Sequence, residues 1–136
     1  MSDTQDRLAI RDTIERYSDA LNARDFAALA ALFAPDAVWR VDAPFNLELA
    51  GAAIAPGIQG MIVNLAMFVQ LTHSVVIDVA GDSATGRTTI HEIGKAADGS
   101  SSFDTFGFYH DRLVRAGSRW RFAARRFQPL NLGANA

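Results

Sequence analysis

Apolar positions near the start of the chain recur at helical spacing. Ile10, Ile14, Tyr17 and Leu21 follow one another at intervals of four, three and four, which makes one apolar stripe on a helix over "TQDRLAIRDTIERYSDALNAR". Asp3 or Thr4 is placed to cap it, and Asp25 to cap a second helix, "FAALAALFA", which Pro35 ends. "AVWRV" reads as a strand and "LELAG" as a short one. "PGIQGMIVNLAMFVQL" is apolar almost throughout and predicts a third, more buried helix. The period then changes to two. Strands are predicted over 71–80, 84–97, 102–115 and 118–128, joined by "AGDSA", "ADGSS" and "RAGSR", turns rich in Gly, Asp and Ser. Long strands with short turns make an antiparallel meander. Helices first and strands after predict an α+β class, with helices packed on one face of a curved sheet.

Two features of this pattern bear on function. In "QLTHSVVIDVAG", strict alternation puts Leu71, His73, Val75, Ile77 and Val79 on one face, so an ionisable ring lies among apolar neighbours. Such a histidine is either held in the core by a hydrogen bond or faces a cavity. The strand over 102–115 is apolar on both faces, with Phe103, Tyr109 and Leu113 on one and Phe106, Phe108 and Val114 on the other. One face can cover the helices. The other predicts a homodimer through the sheet, unless one chain buries both.

Composition narrows the classes. A chain of 136 residues predicts a single domain spanning 1–136. Charged residues are 21% of it and the net charge is −2, which gives no sign of a nucleic-acid partner. The late basic run "RAGSRWRFAARRF" alternates with Trp120, Phe122 and Ala124, as a solvated strand face does. There is no cysteine, so thiol nucleophiles and cysteine-based metal sites are excluded. With no signal-peptide pattern and no membrane-length apolar run, a soluble cytoplasmic protein is expected. The histidines at 73, 91 and 110 have no ligand spacing, and no phosphate loop or nucleophile elbow is present. No cofactor or metal is expected.

The order of "RYSDALNARDFAALAALFAPDAVW", "FVQLTHSVVIDVAGDSATGR" and "GFYHDRLVRAGSRWRFAARRF" resembles the SnoaL-like branch of the nuclear-transport-factor-2-like superfamily, over most of residues 5–128. The resemblance implies a cone, a strongly curved sheet wrapped around three helices with a deep pocket between them. The family includes polyketide cyclases, scytalone-type dehydratases, a dehydrochlorinase, ketosteroid isomerases, non-catalytic dioxygenase subunits and transport factors, so the fold leaves the reaction open.

Several positions follow from the resemblance. It implies that His73 acts as a general base, a role imidazole suits near neutral pH. The family's orienting aspartate falls at Asn22, which can fix a tautomer but cannot offset an imidazolium charge. Glu92 shares a face with Thr88 and Ile90 and is placed to supply the missing carboxylate to His73. A second pocket residue of the family falls near Gly94. Tyr17 and Tyr109 match positions that donate to a developing oxyanion. The aspartate that shuttles the proton in ketosteroid isomerases falls at Val41, and Asp42 next to it faces the other way, which argues against that enzyme. Trp39, Val41, Met67, Phe68 and Phe103 are expected to form the pocket wall and His91 and His110 to face outward; Asp111 and Arg126 are a candidate pair, either near the pocket or across the sheet. The expected ligand is a small apolar cyclic or aromatic molecule. The expected chemistry is cofactor-free proton abstraction next to a carbonyl, by a lyase, isomerase or cyclase. The alternatives are a non-catalytic carrier of such a ligand and a scaffold subunit of a larger enzyme.

Overall fold

A computed structural model describes residues 2–130. Helix α1 (Asp3–Ala23) buries the predicted stripe, with Ile10, Ile14 and Tyr17 fully covered. Its cap is Ser2 rather than Asp3 or Thr4: Ser2 and Gln5 form a reciprocal capping box that satisfies two otherwise orphaned backbone donors. The outer face carries the pairs Asp3–Arg7, Arg11–Glu15 and Asp12–Arg16, each one helical turn apart. Asp25 caps α2 (Phe26–Ala30) through the Ala28 amide at 3.0 Å. That helix is shorter than predicted, because the chain is already extended at Phe33.

Strand β1 (Phe33–Val41) lies parallel to the last strand and antiparallel to the short β2 (Leu47–Ala50). A single 3-10 turn leads into α3 (Ile54–Ile62). The meander follows: β3 (Leu65–Ala80), β4 (Ser83–Ala96), β5 (Ser102–Ala116) and β6 (Arg119–Pro129). The sheet order is β2-β1-β6-β5-β4-β3, with the helices on its inner face. The predicted third helix was too long. A continuous apolar run carries no period that separates helix from strand, and here its second half is the start of β3. Arg24 holds this junction, donating to the carbonyls of Ile62 at 3.1 Å and Leu65 at 2.6 Å. Among the described residues, no helix is long and apolar enough to cross a membrane.

Strand β3 is not regular. Between Thr72 and Val75 it advances three residues while β4 advances two, from Ile90 to Thr88. The extra residue is a bulge, and it reverses the alternation of side chains. A second shift falls between Leu65 and Met67. Before the main bulge the inward residues are Phe68, Gln70 and Thr72; after it they are Val75, Ile77 and Val79.

Candidate active site

The inner face of the sheet, α1 and α3 enclose a cavity of about 730 Å³. Trp39, Val41, Phe68 and Phe103 line it as expected, with Met61 and Phe127. Met67 does not. It is 37% exposed, because its neighbour Phe68 takes the inward position and adjacent strand residues face opposite ways. Gly94, where the resemblance places a second pocket residue, lies under Phe103. A Cβ there would fall 2.3 Å from the ring, so the glycine lets Phe103 lie across the strand. Gly107 serves Phe127 in the same way, at 2.2 Å.

His73 is not in the cavity. It is exposed on the outer face of the sheet, its ring 6.3 Å from that of His91, which stacks on Phe106 at 4.4 Å. The bulge explains the correction: the run from Leu71 to Val79 has two phases, and His73 belongs to the outward one. His91 also pairs with Asp104, and His110 with Gln128 at 2.8 Å. Asp111 pairs with Arg125, not with Arg126, which pairs with Asp42.

The β3 residue that meets the cavity network is Gln70, 1% exposed. Asn22 holds its backbone, accepting from the Gln70 amide at 2.8 Å and donating to its carbonyl at 2.9 Å. Asn22 therefore orients Gln70 and not His73. Ser18, buried on the same face of α1, donates to Gln70 Oε1 at 2.7 Å and bonds Thr72 Oγ1 at 2.7 Å. With its oxygen so engaged, the Gln70 amide offers its Nε2 hydrogens to Glu92 Oε1 at 2.7 Å and to Tyr109 Oη at 3.2 Å. Burial pushes the Glu92 carboxyl above the ordinary range, and the Gln70 hydrogen bond opposes this. Gln70 and Ser18 were missed from the sequence. The available signal was the polar pair Ser18 and Asn22, one helical turn apart beside the apolar stripe, which calls for a polar partner on the facing strand.

The two tyrosines complete a directed chain. Tyr109 accepts from Gln70 and donates to Tyr17 Oη at 3.2 Å, while Trp39 Nε1 donates to the same oxygen at 3.0 Å. Indole and amide nitrogens only donate here, so both lone pairs of Tyr17 Oη are engaged and its own O–H is left for the cavity. Burial raises both phenols, Tyr109 well above the usual value, so both are neutral donors. Glu92, Tyr17 and Tyr109 all line the cavity. The arrangement thus joins one carboxyl able to exchange a proton with one hydroxyl able to bind oxygen, inside apolar walls. No cluster of metal-ligating side chains exists among the described residues.

The curved sheet over N-terminal helices, with a pocket between them, defines the class. Residues 2–126 match the SnoaL-like domain, and the chain belongs to that family. A provisionally assigned aromatic ring hydroxylase from Novosphingobium aromaticivorans superposes with a TM-score of 0.87 at 22% identity, over 96% of this chain and 92% of that one. A provisionally assigned scytalone dehydratase from the same organism gives 0.81 at 22%, over 91% and 83%. LinA gives 0.80 at 21%, over 100% and 99%. An NTF2-like protein with a cystatin-like fold, also from that organism, gives 0.78 at 23%, over 98% and 87%. At these identities the likeness is one of fold. Comparison with curated proteins finds no match.

Proposed function

We propose that the protein is a cofactor-free lyase or isomerase acting on a small cyclic or aromatic carbonyl compound, with Glu92 as the group that moves the proton. The observation that carries this is the pairing of a desolvated carboxyl, Glu92, with the tyrosine hydroxyls in one apolar cavity. Ionised Glu92 takes a proton from the carbon next to the carbonyl. The C–H electron pair moves into the enolate, and the oxygen takes the hydrogen bond of Tyr17. Return of the proton to another carbon gives isomerisation; loss of a leaving group from the neighbouring carbon gives elimination. Gln70 fixes the carboxyl and Asn22 fixes Gln70. Similarity to structures assigned to scytalone dehydratase and to LinA agrees with this class of reaction.

A second reading has its own support. The side chain that hydrogen-bonds Glu92 is the Gln70 amide, which relays no proton. A protein that binds the same ligands without turnover fits that feature. Proton NMR in D₂O with a panel of cyclic and aryl ketones separates the two. Proton transfer predicts enzyme-dependent deuterium uptake at the α-carbon that Glu92→Gln reduces about 10²–10⁴-fold. Saturable binding with no uptake supports the carrier and overturns the enzyme.

A further inference from the structure

Behind the tyrosines lies a charge that the pocket reading does not use. Arg125 is 1% exposed and faces inward from β6. Its counter-ion, Asp111 on β5, is 5% exposed and lies 3.3 Å away, Nε to Oδ1. Arg125 Nε and Nη1 and both Asp111 carboxylate oxygens have no hydrogen-bond partner among the described residues. A buried ion pair without satisfied hydrogen bonds is a poor stabilising device, and apolar residues of the same volume serve a core as well or better. The contacts Arg125 does make are with ring faces. Its Cζ lies 3.7 Å from the ring centre of Tyr109, 4.1 Å from Tyr17 and 4.4 Å from Phe122. Tyr17 and Tyr109 are also edge to face with each other, at 5.3 Å.

A cation on the face of a phenol draws electron density from the ring. The O–H becomes a stronger donor and the ring tolerates more negative charge at its oxygen. In the buried state of both phenols Arg125 is the cationic influence that opposes desolvation. Tyr17 is also where the donors of Trp39 and Tyr109 converge, and its own O–H is the one left for a ligand. The acidic groups lining the cavity are Glu92, whose carboxyl burial pushes above the ordinary range, and Asp104, which pairs with His91.

We propose that Arg125 is a positioning residue which, through the two tyrosine rings stacked on it, makes the cavity select ligands whose oxygen carries or develops negative charge, enolates and phenolates rather than neutral aromatics. This rests on the pocket reading above but not on turnover.

The probe is 4-nitrophenol, whose absorbance reports its ionisation when bound, with nitrobenzene as neutral isostere. The bound pKa of nitrophenol is expected to fall by about one unit relative to free solution, about tenfold tighter binding of the anion. The double variant Arg125→Gln/Asp111→Asn removes both charges and keeps polar groups of similar size. It is expected to lose about tenfold in nitrophenolate affinity while nitrobenzene changes less than about twofold. A raised bound pKa in the wild type, or equal losses for both probes, overturns the inference. If circular dichroism shows the double variant unfolded, the wild-type bound pKa decides alone. Nitrophenolate bound with no ketone exchange overturns proton transfer and leaves this inference standing. Nitrobenzene bound without preference for nitrophenolate does the opposite, and binding of neither probe overturns both.

Discussion

Tyr17 does three things at once, and its replacement separates them. It is an apolar stripe residue, an acceptor for two buried donors, and the hydroxyl presented to the cavity. Tyr17→Phe keeps the first and removes the others. Stranding Trp39 Nε1 and the Tyr109 hydroxyl costs about 1–3 kcal/mol, to be read by urea unfolding. If Tyr17 holds the developing oxyanion, kcat falls about 10²–10³-fold in the same protein. His73→Ala, on the outer face, is expected to leave both within about twofold. The resemblance placed Tyr17 and Tyr109 in the cavity, and alternation placed Trp39 and Glu92 there, on stretches whose period holds. His73 was misplaced and Gln70 overlooked for one reason: alternation was carried across a bulge that no residue in "QLTHSVV" announces. Arg125 was hidden differently. In "RFAARRF" three arginines fall within six residues, and a further register shift, on β6 opposite Arg112 and Leu113, decides which one turns inward.

At the scale of elements, α1 is tied to the far end of the meander by Asp6. Its carboxylate accepts from Arg115 at 2.6 and 3.0 Å and from the Trp120 indole at 3.2 Å. The Arg115 hydrogen bond is the main reason its pKa is lowered, although burial opposes it. A depressed folded-state pKa gives stability that is present above the unfolded value and lost as pH falls through the folded one. Asp6→Asn is therefore expected to lower the thermal midpoint clearly at pH 7 and little near pH 2.5, measured by calorimetry. The strands that carry the pocket wall depend on glycine in a different way. Gly94→Ala forces Phe103 off β4, costs about 1–3 kcal/mol by overpacking, and changes ligand affinity without touching Glu92. The elements themselves were readable from amphipathic stripes and turn residues. The end of α3 was not, since Arg24, which fixes the helix-to-strand junction, is distant in sequence from the carbonyls it holds.

For the whole molecule, the buried Asp111–Arg125 pair leaves a signature in the pH dependence of stability. Burial raises the Asp111 pKa from 3.8 to about 6, with Arg125 opposing. The folded state then binds more protons than the unfolded one between those values, so this group's contribution weakens as pH rises through that window. Asp111→Asn is expected to gain stability relative to wild type on going from pH 4 to pH 7, measured by chemical unfolding at both. The outer sheet face exposes Val38, Leu71 and Val76 at 36–49%. If a second copy covers it, sedimentation velocity gives a dimer that Val76→Glu converts to a monomer. The central claim is that the cavity beside Glu92 and Tyr17, and not the outer face, is where the protein meets its ligand. The most direct measurement is a crystal structure of the protein soaked with a cyclic ketone or a phenol. The account predicts the ligand oxygen about 2.6–3.2 Å from Tyr17 Oη, the ring against Trp39 and Phe127, and the Glu92 carboxyl beside the carbon next to it. A ligand bound instead on the outer face near His73 and His91, with the cavity unoccupied, would contradict it.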